Sequence, residues 1–334
     1  MRFLKLIAVS VAVLALAAAP AAAQKKPYKI GAAVYGLKGE FMQLWANALK
    51  EHPAVKDGSV KLTIFDGKYD ALTQNNQFET MVTQKFDGIL FVPIDIQAGA
   101  QAVEKAAEAK IPVVGSNARV LSDKLVSYVG SDDTVAGALE AEAVIKAMGG
   151  KGNVVIIEGP IGQSAQIERR KGNQAALAKY KDVKVLEMRT ANWSRAEALS
   201  LMENWLTAHA GKIHGVIGQN DEMALGAIEA LKAKGLSPKS IPVAGIDGVT
   251  DAIRAVKEGH MMSILQDAQG QAQGGLDVLL RHIVGPGYEP RAALWNDYAS
   301  EGLSWGDGTA RQYNVPWTPI TLQNADALLA KRSK

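Results

Sequence analysis

Lys212-Ile213-His214-Gly215-Val216-Ile217-Gly218-Gln219-Asn220-Asp221-Glu222-Met223-Ala224-Leu225-Gly226 joins a short apolar run to a helical one through a polar turn. Residues 213–217 are too few for a helix, carry β-branched Ile213, Val216 and Ile217, and are bounded by polar residues. They are expected to form a buried strand. Asn220 and Asp221 are good N-cap residues, Glu222 places a carboxylate in the first turn, and Met223, Ile228 and Leu231 lie on or near one helical face. In open parallel sheets small ligands bind beyond the carboxyl ends of strands, where Gln219, Asn220 and Asp221 fall. Taken alone, Asn220 is equally well explained as a helix cap.

A second copy of the unit changes that balance. Lys85-Phe86-Asp87-Gly88-Ile89-Leu90 is followed by Ile111-Pro112-Val113-Val114-Gly115, just as residues 212–217 are followed by Ile241-Pro242-Val243-Ala244-Gly245. Two strands joined through a helix make a βαβ unit, so the chain is expected to hold two lobes of one architecture facing across a cleft. Its 334 residues also exceed a comfortable single core and suggest two domains.

Taken in order, the pattern predicts strands near residues 28–34, 60–65, 89–92, 111–115 and 125–130 in the first half. In the second half it predicts them near 154–157, 183–188, 216–218, 243–246 and 262–265. Amphipathic helices fall between them; Phe41, Leu44, Trp45, Ala48 and Leu49 share one face, which makes Trp45 a core residue. Strict alternation of this kind means parallel sheets covered on both faces. Ser194 with Glu197 forms a capping box, placing Asn192 and Trp193 at a strand-to-helix turn beside the cleft. Residues 288–318, with Trp295, Trp305 and Trp317, lack periodicity and are expected to pack as an ordered loop. The fold class is therefore α/β, two Rossmann-like lobes with parallel sheets joined by a hinge. The expected boundaries are 24–130 plus about 267–296 for the first lobe and 131–266 plus about 297–334 for the second.

Residues 1–23 read as a cleavable export signal: Arg2 and Lys5, an apolar run, then Ala21-Ala22-Ala23. With no cysteine there is no disulfide, thiolate metal site, cysteine nucleophile or lipid-anchored amino-terminal Cys. An exported, unanchored protein is expected in the periplasm. The chain carries 37 basic and 34 acidic residues, two of the basic ones in the leader, which gives no ground for nucleic-acid attraction. The five histidines lack zinc-binding spacing. Gly162-Gln163-Ser164-Ala165-Gln166 lacks the last glycine of a nucleophile elbow. Glu168-Arg169-Arg170-Lys171 reads as a solvated helical face. No catalytic triad, metal cluster or cofactor motif is expected.

Gln219 to Gly226, Gly245-Ile246-Asp247-Gly248 and Ile264-Leu265-Gln266 together resemble the sugar-binding proteins of ABC importers, the ribose- and galactose-binding group of the type I periplasmic fold. The resemblance covers roughly residues 29–284. It implies that Phe41 and Trp193 sandwich a sugar ring, with Met42 where the family often has a second aromatic residue. It also implies that Asn220, Asp247 and Gln266 pair with hydroxyls. Such chemistry suits a sugar, whose C–H faces stack on aromatic rings and whose hydroxyls need amide and carboxylate partners once water leaves. Phe41 is alternatively a core residue and Asp247 an N-cap. Where the ribose type has Asp-Arg and a helical arginine, an ungapped reading places Asn117-Ala118 and Ile167, with Gln163, Gln166 and Arg170 as partial substitutes on the same helical face. Two charged forks are thus expected to be missing and Asp247 to stand as a fixed negative charge, which disfavours ribose and sugar acids alike.

The expected role is delivery of a neutral sugar or polyol to an ABC permease by a monomeric receptor, with a chemoreceptor or sensor as a second partner. A DNA-binding regulator of the same fold would need a helix-turn-helix head ahead of Lys29, where this sequence offers an export signal. A carbohydrate enzyme would need a carboxylate pair, and only Asp247 is expected in the cleft.

Overall fold

The structure, a computed structural model, describes residues 26–332; the expected export signal lies outside the described residues. β1 (Tyr28–Val34), β2 (Val60–Asp66), β3 (Gly88–Val92), β4 (Val113–Ser116) and β5 (Ser127–Gly130) pair in the order β5-β4-β3-β1-β2. β6 (Gly152–Glu158), β7 (Val183–Thr190), β8 (Gly215–Gly218), β9 (Val243–Asp247) and β10 (Met262–Leu265) repeat it as β10-β9-β8-β6-β7. All of these pairings are parallel. The repeated sequence units therefore do build two equivalent sheets. In each, the chain reverses its direction of travel between the first and third strands, the switch point where α/β sheets open a crevice. β3, β4, β5, β8 and β9 are buried at every position, as strands covered on both faces should be.

Local chemistry sets the helix starts. Asp70, Asp95, Asp132, Asn220 and Asp267 each accept a backbone N–H from the first turn of the helix that follows. Ser194 does so for the helix Arg195–Ala208, its Oγ accepting from Glu197 N. The capping box is only half formed, because the Glu197 carboxylate accepts instead from Asn192 Nδ2 at 2.7 Å. Trp45 is fully buried, and its Nε1 donates to Ser116 Oγ.

The lobe boundaries need one correction. β11 (Gln312–Asn314) lies parallel to β5 at the edge of the first sheet, and β12 (Thr318–Pro319) lies antiparallel to β10 at the edge of the second. The chain thus crosses between sheets a third time, between Asn314 and Thr318, and residues 297–314 do not sit with the second lobe. There Trp295 packs edge-on against Trp305 and Tyr313, which stack on each other. The buried Asp277 carboxylate anchors the segment, accepting from Tyr288 Oη, the Arg291 and Ala292 amides and Trp295 Nε1.

The carboxyl ends of the two sheets face each other and are bonded across the gap. Gln163 Nε2 donates to Pro93 O at 2.9 Å, Ile96 N to Gly162 O at 3.1 Å, and Arg119 N to Ser164 Oγ at 2.7 Å. On the other side Thr250 N donates to Glu40 Oε1 at 3.0 Å.

Candidate functional site

A small chamber lies between the lobes, walled by residues just beyond the strand ends. From the first lobe come Tyr35 after β1, Phe41 at the start of the helix Glu40–Lys50, and Asn117 after β4. From the second come Gln163, Ala165 and Arg169 after β6, Trp193 after β7, Asn220 after β8, and Asp247 at the end of β9; Gln266 sits where the chain leaves β10. Three of these residues have positive φ without being glycine: Asn117 at +60°, Trp193 at +60° and Asp247 at +131°. Strain of this kind persists where surrounding packing fixes it, and it concentrates at functional sites. Trp193 is held flat against Gly159, where even a Cβ would lie 2.1 Å from the indole, and its Nε1 donates to Gln163 Oε1 at 2.6 Å. A larger, open cavity lies on the other side of Trp193, rimmed by exposed Lys38, Lys68 and Glu197; it is the mouth of the cleft.

The polar groups divide into those already committed and those with capacity to spare. Asn220 Oδ1 caps its helix by accepting from Met223 N at 2.9 Å, which leaves its NH₂ for the chamber. Gln266 Oε1 accepts from Arg169 Nη2 at 3.3 Å, while Gln266 Nε2 is buried without a hydrogen-bond partner. Among the described residues no protein donor reaches the Asp247 carboxylate. Arg169 is 3% exposed; its Nε donates to Asp133 Oδ1 at 2.8 Å and its Nη1 to the Gln219 carbonyl.

Burial raises the Asp247 carboxyl well above the usual carboxylate range; Arg169 opposes the shift, and Asp221 adds to it. Asp221, buried beneath the chamber, is itself pushed up to about 7 by burial, against hydrogen bonds from Ser263 Oγ and the Val249 and Gly248 amides. Burial works against charge on Arg169, yet Asp133 and Asp247 outweigh it and raise the guanidinium pKa. One guanidinium thus stands among carboxyl groups that burial pushes toward protonation.

The structure brings together Phe41, Asn117, Trp193, Asn220, Asp247 and Gln266 of the residues expected from sequence. It does not bring Met42, Gln166 or Ile167 to the chamber. Met42 is 1% exposed and packs in the first lobe's core; Gln166 donates to Glu158 Oε1; Ile167 is 42% exposed on the outer face of its helix. The charged run 168–171 is not a solvated face throughout, because Arg169 points inward. The expectation of a cleft without an arginine fails for the same reason, and burial works against the fixed negative charge expected of Asp247. Gln163, expected as a partial substitute, does line the chamber, whereas Tyr35, Ala165 and Arg169 were missed.

Residues 30–287 match the family described as periplasmic binding protein domain. The chain is 36% identical over 272 residues to a xylitol-binding protein of Mycolicibacterium smegmatis, covering 81% of this chain and 76% of that protein. It is 34% identical over 302 residues to a putative rhizopine-binding protein of Rhizobium meliloti, covering 88% and 90% respectively. Its structure resembles that of an ABC transporter solute binding protein from Bacillus halodurans with bound myo-inositol. Here the TM-score is 0.80 at 29% identity, with 92% of this chain and 99% of the other covered.

Proposed function

Because this chain belongs to the periplasmic binding protein family, we propose that it is the capturing component of an ABC importer, holding a neutral cyclic polyol or hexose between its lobes and presenting it to an inner-membrane permease. The observation that carries this reading is the pairing of Phe41 and Trp193 from opposite lobes around polar groups with unused capacity. Aromatic planes suit the C–H faces of a small ring, and the spare acceptors and donors of Asp247, Asn220 and Gln266 suit hydroxyls, each of which both gives and receives a hydrogen bond.

Charge argues for neutrality. Arg169, the one guanidinium lining the chamber, already commits its Nε, Nη1 and Nη2 donors to Asp133, the Gln219 carbonyl and Gln266, so it presents no free charged fork to an anionic ligand. Ala118 is buried in place of one arginine of the ribose pattern, which favours ligands other than ribose. The xylitol-binding relative and the neighbour with bound myo-inositol support a polyol, while ribose import binding proteins at 31% identity make ribose the alternative to test. Asp247 is the one carboxylate among the chamber-lining residues, whereas glycoside hydrolysis uses two, so the chamber is read as a binder and not a catalyst. The export signal expected over residues 1–23 would place the mature protein in the periplasm.

A thermal-shift panel of inositols, hexoses, pentoses and linear polyols, followed by calorimetry, tests the reading. Ligand at 100 times its Kd adds about 2.7 kcal/mol of stability. Sub-micromolar ribose binding with no response to inositol, hexose or polyol would refute it.

A further inference from the structure

Three segments join the lobes: the link from β5 into the helix Asp133–Ala147, the link from β10 into the helix Ala268–Val284, and the link from β11 to β12. One chamber side chain reaches all three. Arg169 Nε donates to Asp133 at the end of the first link, Nη2 donates to Gln266 Oε1 in the second, and the guanidinium carbon lies 5.8 Å from the ring centroid of Trp317 in the third. The same carbon lies 5.5 Å from the Trp193 ring that walls the chamber. A guanidinium is planar and rigid, so its donors cannot be redirected one at a time. A shift of Arg169 that follows Trp193 or a bound ring must also disturb its bonds to Asp133 and Gln266 and its seat against Trp317.

We infer that Arg169 is a positioning residue that couples occupation of the chamber to the joint between the lobes. The inference rests on reading the chamber as the polyol site. Trp317 offers the cleanest probe because it is not among the chamber-lining residues; it is half-buried, and its Nε1 donates to Asp132 O at 2.8 Å in the first link. A residue that merely filled space there would not alter affinity or lobe closure when removed.

The chain has no cysteine, so spin labels can be placed at Lys38→Cys on the first lobe and Arg189→Cys on the second, both exposed positions. Interlobe distances and calorimetric affinities are compared for the parent, Trp317→Ala and Arg169→Lys, using myo-inositol, xylitol and glucose as probes. Trp317→Ala is expected to weaken binding by roughly 5- to 150-fold, the range of a coupling free energy, and to leave an open fraction at saturating probe. Arg169→Lys, which keeps the charge but loses the fork, is expected to leave an open fraction as well. If Trp317→Ala binds and closes like the parent while Arg169→Lys loses affinity alone, Arg169 is a plain ligand contact and the coupling is wrong. If the parent binds none of the probes, the polyol reading fails separately. The ligand-free distances then decide: variant distributions unlike the parent's support the coupling, and superposable ones overturn it.

Discussion

Replacing Asp247 tests the chamber at its most unusual group. The residue is 5% exposed and sits on a backbone with φ +131°, and its carboxylate accepts no hydrogen bond from the described protein residues. If ligand hydroxyls are its donors, Asp247→Ala leaves them desolvated and unpaired, a loss of about 2 to 4 kcal/mol, or roughly 30- to 700-fold in Kd. Asp247→Asn keeps the shape and removes the proton equilibrium. In the ligand-free protein burial holds this carboxyl pKa well up, whereas hydroxyls donating to the carboxylate favour its charged form. Binding should therefore release a proton, and parent affinity should increase as pH rises from the ordinary carboxylate range toward the raised folded value, while that of Asp247→Asn stays flat. The stability sign is opposite. An acid whose folded pKa exceeds its unfolded one contributes stability below the unfolded value and loses it as pH rises through the folded value. Ligand-free Asp247→Asn should then melt higher than the parent at neutral pH. Calorimetry in buffers of different ionisation enthalpy measures the proton release, and melting curves measure the second effect. Affinity for Asp247→Ala within threefold of the parent, or a parent affinity independent of pH, would refute the assignment.

Trp193→Ala should weaken binding by about 2 to 4 kcal/mol, the scale of a lost aromatic anchor, with little change in circular dichroism; unchanged calorimetric affinity would remove Trp193 from the ligand wall. Asp277→Ala should destabilise the protein by about 3 to 5 kcal/mol in denaturant titrations, because His52 Nε2 at 3.0 Å and the donors of the 288–295 segment lose a buried partner. Burial opposes charge on Asp277, but hydrogen bonds from His52, Tyr288 and Ala292 outweigh it and lower its pKa, so its contribution is present above the unfolded carboxylate value and is lost as pH falls through the folded one. An acid limb of the stability curve that is the same in parent and Asp277→Asn would contradict this. Export should cleave the chain after Ala23, and intact-mass analysis of periplasmic protein should find Gln24 at the amino terminus.

The fold was legible because its signals are local and repeated. Apolar and β-branched runs of four to eight residues, aspartate or asparagine caps, and the matched units at residues 85–90 and 212–217 each follow from nearest-neighbour chemistry. The position of the third crossing was not: it falls between Asn314 and Thr318, beyond the boundary expected near residue 296. β11 and β12 are three and two residues long, too short for any periodicity, and their pairing with β5 and β10 depends on edges that only the assembled sheets present. Phe41, Asn117, Trp193, Asn220, Asp247 and Gln266 were readable as site residues because each lies at a strand end or the first turn after one, where the topology itself points side chains into the crevice.

Arg169 was missed for a different reason, one of helical phase. An ungapped alignment carried the family's arginine onto Ile167, and two residues along an α-helix amount to about 200° of rotation, so Ile167 and Arg169 face opposite ways. The sequence did contain the correction. Ala165, Arg169, Gly172, Asn173 and Ala176 fall at i, i+4, i+7, i+8 and i+11, the buried stripe of the helix Ser164–Leu177. Gly172 lies against the backbone of the helix Asp133–Ala147, a Cβ there falling 2.1 Å from Thr134 O, and that close approach fixes which face turns inward. A charged residue on the stripe with the small ones must be paired if it is buried, and Asp133 at the start of the facing helix supplies the partner. Phase within the helix, and not the charge of the run around it, therefore decides that Arg169 enters the chamber while Arg170 turns to Glu158 at its margin.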